Sequence, residues 1–187
     1  MTDWNNWLNE YFSRFTPAFD PAIYKKLIAF RDLAAEVRKR NAKLIFAGNG
    51  ASASISSHGR VDFTKQGKVR SLDFNEPNLI TAYSNDYGYE NWVARALESF
   101  AEDGDVCVFT SVSGTSPNIV KAAEYAKSRG LQLVTFTGKL ETNPLKALGD
   151  INFWMDSSAY NIVEAVHMMW LTTVVDMLVG QAEYSVS

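Results

Sequence analysis

The chain has 187 residues, 47% of them hydrophobic and 21% charged, with a formal net charge of -3. Those values suit one globular domain with a full core and exclude a collagen-like, disordered or strongly basic nucleic-acid-binding chain. A single cysteine, Cys107, rules out a disulfide within the chain and a zinc site built on paired cysteines.

In chain order, residues 3 to about 41 read as two helices broken near Thr16-Pro17. The first carries Trp4, Trp7, Leu8, Tyr11, Phe12 and Phe15 at helical spacing; the second, after Asp20-Pro21, carries Ile23, Leu27, Ile28, Phe30, Leu33, Ala34 and Val37. So aromatic a layer ahead of the first strand is expected to pack on its own domain or on another subunit. Lys25, Lys26, Arg31, Arg38 and Arg40 share the segment with Asp32 and Glu36, which reads as a solvated face and not a basic patch. With Asp3 and Glu10 at the N-terminus no signal peptide is expected. No apolar stretch reads as long enough to span a bilayer, so no membrane partner is expected and the cytoplasm is the expected location.

From residue 43 strands and helices alternate. Strands are predicted at 44–47, 71–74, 79–83, 106–110, 132–136 and 151–154, and helices at 52–66, 88–101, 117–129 and 160–179. This order implies an α/β fold with a parallel sheet covered by helices on both faces, and ligands beyond the carboxyl ends of its strands. No linker or internal repeat marks a second domain.

Two of the predicted turns carry ligand chemistry. The strand ending Val106-Cys-Val-Phe-Thr110 runs into Ser111-Val-Ser-Gly-Thr-Ser116, with Pro117 opening a helix and Ser116 placed to cap it. Hydroxyls and backbone N–H groups at a helix start suit a phosphate. The loop lacks the lysine of a nucleotide-binding P-loop, so it reads as a site for a single phosphate. Gly48-Asn-Gly-Ala-Ser52 repeats the pattern after the first strand. Each could be an ordinary βα turn, but two in one small chain favour a ligand site.

Three polar groups on helices stand out. His58 and Asp62, at i, i+4, share a face and suit either a surface pair, an acid/base pair or metal ligation. Glu164 and His167 lie in an otherwise apolar helix, where a ligand site and a buried structural hydrogen bond fit equally. Asn85 and Asp86, read as the cap of helix 88–101, are placed where Asp86 can meet a polyol hydroxyl.

Taken together, Gly48-Asn-Gly-Ala-Ser52, His58, Asn85-Asp86, Gly104-Asp-Val106, Ser111 to Ser116 with Asn118, Thr137-Gly138 and Glu164-Ala-Val-His167 resemble the sugar isomerase (SIS) domain family, and within it the phosphoheptose isomerase-like group. The resemblance implies a three-layer αβα fold of flavodoxin-like type, with a central five-stranded parallel sheet. It makes the whole chain, 1–187, one SIS domain, with 1–42 as oligomerisation helices and 43–187 as the phosphosugar-binding core. It implies a homotetramer and a phosphorylated-sugar ligand held by Asn49, Gly50, Ser52, Ser111, Val112, Ser113 and Ser116. In active members a Glu and a His shuttle a proton between C1 and C2, and zinc is held by His, Glu, Gln and His. Here His58 matches the first metal His, Asp62 stands for the catalytic Glu, and Glu164 stands for the metal Gln. Gln66 replaces an Arg of the substrate site. Thr172, or Leu171 in a register one residue away, falls where the second catalytic His belongs.

The expectation is therefore an aldose–ketose isomerase acting on sedoheptulose 7-phosphate or a related sugar phosphate, with Asp62 and His58 as catalytic groups. Zinc or another divalent metal on His58, Asp62 and Glu164 is the cofactor the resemblance allows. The alternative is a non-catalytic module that binds a phosphosugar or serves as a tetrameric scaffold.

Overall fold

A computed structural model describes residues 2–185. Helix α1 (Trp4–Ser13) is followed by two 3-10 turns, Thr16–Phe19 and Pro21–Ile23, and by α2 (Tyr24–Lys39). The N-terminal break therefore falls at Thr16-Pro17, as expected. Then come β1 (Leu44–Gly48), α3 (Ala51–Lys65), β2 (Ser71–Asp73), α4 (Pro77–Tyr87), α5 (Trp92–Phe100) and β3 (Val106–Ser111). The chain ends with α6 (Pro117–Ser128), β4 (Gln132–Thr137), α7 (Pro144–Leu148), β5 (Ile151–Trp154) and α8 (Tyr160–Val179).

The five strands form one parallel sheet in the order β2-β1-β3-β4-β5. Alternate side chains divide between its faces, as the period-2 pleat requires. Leu44 and Phe46 of β1, with Val106 and Val108 of β3, pack under α2, α3 and α8. Ile45, Ala47, Cys107 and Phe109 face α5, α6 and α7. Phe136 and Phe153 stack at 4.5 Å across β4 and β5, with Phe30 of α2 against both. The α2 helix is thus part of the core, whereas α1 buries none of its residues.

The strand expected at 79–83 is instead the body of α4. Its run Leu79 to Tyr83 is short and apolar, a pattern that periodicity alone cannot assign. The deciding signal lies just upstream: the Glu76 carboxylate accepts from the N–H groups of Asn78 and Leu79, and Pro77 occupies the first turn. Residues 84–87 therefore close α4, and the next helix starts at Trp92 and not at 88.

A second expectation also fails. At 20 residues and a mean hydropathy of 1.6, α8 is long and apolar enough to cross a membrane by length and composition. In the fold it is a core helix: Ile162, Val163, Val166, Trp170, Leu171, Val174 and Val175 are buried in the cluster shared with α2, α3 and the sheet.

Candidate active site

The strand order reverses between β1 and β3: the chain leaves β1 toward β2 on one side and continues from β3 toward β4 on the other. At such a switch point the loops beyond the two carboxyl ends part and leave a crevice. Here it is a cavity of about 110 Å³ lined by Asn49, Ser52, Ser111, Val112, Ser113, Ser116, Tyr160 and Glu164. The crevice has room for a phosphoryl group and opens to solvent.

The serine loop is shaped from within. Gly114 donates to the carbonyl of Ser111 at 3.0 Å with a φ of 64°, a conformation that favours glycine. Ser111 Oγ lies 3.2 Å from Ser116 Oγ and 3.5 Å from Ser113 Oγ, so the three hydroxyls cluster. Ser116 holds the N-cap position of α6, but its side chain makes no capping bond. Its hydroxyl is turned to Ser111, which leaves the helix start open to a ligand.

The first loop meets the second through two amides. Asn49 Nδ2 donates to Asn118 Oδ1, and Asn118 Nδ2 donates back to Asn49 Oδ1, both at 2.9 Å. Tyr89 adds a hydroxyl donor to Asn49 Oδ1 at 3.1 Å. Gly50 takes a φ of 56° at the N-cap of α3 and does not line the cavity; it shapes the turn that presents Asn49 and Ser52.

The third wall comes from α8. Tyr160 stands at its first residue and Glu164 one turn later. Lys139, two residues beyond β4, donates to the Tyr160 hydroxyl at 3.0 Å and sits 4.3 Å from the ring centroid, which orients the ring. The N-termini of α3, α6 and α8 all carry no side-chain cap. Their dipoles direct three positive ends at a cavity that no Lys or Arg lines.

The other expected residues lie elsewhere. His58 Nε2 and an Asp62 carboxylate oxygen are 3.0 Å apart, and the pair lines a separate, open cavity with Ser54, Ser57, Asn75 and Ile80. Asp86 is exposed on the last turn of α4, accepts from Asn85, and lines neither cavity. Placing it at a sheet edge depended on a strand at 79–83, which is helix.

The expected metal set does not assemble within this chain. Glu164 belongs to the serine cavity, His58 and Asp62 to the other, and the described residues hold no group of three or more His, Cys, Asp or Glu able to take a metal ion. His167 does not turn into the cleft either. It is fully buried, with Nε2 donating to the Thr137 carbonyl at 3.0 Å, and burial lowers its pKa to about 4. Thr172 Oγ1 donates to the carbonyl of Met168.

Tyr160, Tyr89 and Lys139 were not singled out from the sequence. Tyr160 had a usable signal, since it opens the helix that follows the last strand at the same sheet edge as both loops. The contacts of Tyr89 and Lys139 depend on tertiary packing and leave no local mark.

Comparison with known proteins agrees with this architecture. The family model described as SIS domain matches residues 9–138. Phosphoheptose isomerase from Fusobacterium nucleatum is 31% identical over 147 residues, covering 76% of this chain and 75% of the relative. The phosphoheptose isomerase of Crocosphaera subtropica is 30% identical over 171 residues, covering 88% and 87%. Among solved structures, phosphoheptose isomerases from Neisseria gonorrhoeae and Francisella tularensis superpose with TM-scores of 0.84 and 0.85 at 20% identity. They cover 94% and 95% of this chain, and 99% and 98% of their own chains are matched. The chain therefore belongs to the SIS-domain family, in its phosphoheptose isomerase-like group.

Proposed function

We propose that this protein is an aldose–ketose isomerase acting on a phosphorylated ketose, with sedoheptulose 7-phosphate as the first substrate to test. The observation that carries this reading is the cavity at the sheet switch point. Ser111, Ser113 and Ser116 hydroxyls converge there beneath uncapped helix starts, beside Asn49, Ser52 and Val112. That is an anion site built from dipoles and hydroxyls, with room for the phosphate.

The phosphate anchors the substrate, and its binding energy places the carbonyl end for proton transfer. The names of the relatives support the isomerase class. The donor set described above does not fit a zinc ion, so no step is routed through a metal.

The aromatic face of α1, where Trp4 is 64% and Phe12 63% exposed, supports assembly with further copies of the chain, and a homotetramer is the assembly the family implies. Light scattering on the purified protein tests that separately.

The test of function is a melting-temperature series with sedoheptulose 7-phosphate, other ketose phosphates and inorganic phosphate, followed by an assay for aldose formation. Ligand bound to the native state raises the melting temperature by mass action. A shift with turnover supports the isomerase. A shift without turnover of any ketose phosphate points to a binding module, and no shift with any of them sinks the phosphosugar reading.

A further inference from the structure

We infer that Glu164 makes the serine cavity a site for a phosphate group that still carries a proton, its O–H donating to the Glu164 carboxylate; the inference rests on the phosphosugar reading of that cavity. Glu164 is the carboxylate lining it, beside Ser111, Ser113 and Ser116. It is half-buried, and its side chain has neither a hydrogen bond nor an ion pair with any other described residue. An ionised carboxylate only accepts hydrogen bonds, so the group that completes it must be a donor.

The remaining walls are made for an anion. Helices α3, α6 and α8 start without side-chain caps, and Ser111 Oγ lies within 3.5 Å of both Ser113 Oγ and Ser116 Oγ. No Lys or Arg among the described residues lines the cavity to neutralise Glu164. A fully ionised phosphate seated on the serines therefore meets an uncompensated negative charge. A protonated one brings the donor that the carboxylate lacks, in a bond about twice as strong as a neutral one.

The other titratable groups around α8 are engaged. Tyr160 lines the cavity, and its hydroxyl accepts from Lys139 just beyond β4. His167 is buried with its Nε2 on the Thr137 carbonyl. On α3, which packs against α8, His58 and Asp62 are 3.0 Å apart and line the other cavity. On α2, Arg31 lies 2.9 Å from Asp32 and shares a cavity with Asp176, three turns beyond Glu164 on α8. Glu164 acts on the phosphate end of the substrate and takes no part at C1 or C2.

A phosphate ester loses its second proton near pH 6, so above that pH the site draws on a shrinking protonated fraction. Each sugar phosphate bound there takes up one proton. Inorganic phosphate keeps a proton at neutral pH, whereas sulfate has none to give.

The experiment titrates wild type and Glu164→Gln by calorimetry with inorganic phosphate, sulfate and sedoheptulose 7-phosphate, in buffers of different ionisation enthalpy that count protons. Wild type should bind inorganic phosphate roughly 10- to 100-fold more tightly than sulfate. Its affinity for sedoheptulose 7-phosphate should fall close to tenfold per pH unit between about pH 7 and 8.5, with about one proton taken up. In Glu164→Gln the amide donates to either anion, so phosphate and sulfate should bind within about threefold of each other, with no proton uptake. The gain in sulfate binding also reports a folded variant; if the variant does not fold, the wild-type selectivity and proton count decide alone. Wild type binding sulfate within about threefold of phosphate overturns the inference, as does a pH slope that persists in Glu164→Gln. No binding of any of the three overturns it together with the phosphosugar reading. Selective phosphate binding without turnover of any ketose phosphate supports it and overturns the isomerase reading alone.

Discussion

The side chains of Asn49 and Asn118 donate to each other, both at 2.9 Å, and so tie the turn after β1 to the first turn of α6. Asn118 is buried at 1% exposure, whereas Asn49 lines the cavity. The buried amide therefore positions the accessible one. Asn118→Ala removes one reciprocal bond pair and frees Asn49 to turn. A lost hydrogen bond is worth about 0.5–1.5 kcal/mol, so affinity for inorganic phosphate should drop roughly three- to tenfold. Isothermal titration measures it; unchanged affinity would mean that Asn49 is fixed by Tyr89 alone.

Gly114 is the pivot of the serine loop. Its φ is 64°, and a Cβ there would lie 1.9 Å from Asn143 Oδ1, the atom that caps Lys146 N of α7. Gly114→Ala should abolish phosphate binding and lower the melting temperature. Gly130→Ala separates the two causes, because its φ is also positive, at 70°, with nothing within 4 Å of the new Cβ. The Gly130 variant should lose only the backbone cost, about 1–2 kcal/mol. Equal losses at both positions would show that the Asn143 contact is immaterial.

At the opposite edge of the sheet, the ammonium of Lys43 lies 2.7 Å from Asp105, whose carboxylate also accepts from Lys43 N and Glu102 N. Asp105 is 2% exposed and Lys43 7%. Glu102 also reaches the Lys43 ammonium, at 2.6 Å, so Asp105→Ala leaves the cation one partner but strips the Lys43 and Glu102 N–H groups of their acceptor, and it should cost about 1–3 kcal/mol in urea unfolding. Because the pair precedes β1 and β3 and the ligand loops follow them, phosphate affinity in the folded variant should be unchanged. A loss of affinity would reveal coupling along the strands.

How much of this was legible before folding depends on how local each signal is. The two Gly/Ser turns were readable because strand, turn residue and helix start are adjacent in sequence. α4 was misread because Leu79 to Tyr83 is too short for its period to decide, and the capping carboxylate of Glu76 outweighed its strand-like composition. Glu164 and Asp62 each read as site residues, but the sequence does not say that α8 and α3 turn them into different cavities. His167 was open between ligand and buried bond, and only the packing of Phe136 and Trp170 around it decides for the bond.

That buried imidazole makes stability depend on pH. Its folded pKa is lowered from 6.5 to about 4, chiefly by burial, with the Thr137 bond opposing. Between those values the unfolded chain binds a proton that the folded chain refuses, so stability from this group is complete above pH about 6.5 and is lost as pH falls toward 4. At 1.36 kcal/mol per pKa unit the loss amounts to about 3 kcal/mol, and below pH 4 this group adds no further slope. Nδ1 has no partner, so the neutral ring with its proton on Nε2 is the form the core accepts. His167→Gln keeps a donor for the Thr137 carbonyl and removes the titration. Urea midpoints of wild type should fall between pH 7.5 and 5 more steeply than those of His167→Gln. Parallel slopes in the two proteins would assign the acid sensitivity to other groups.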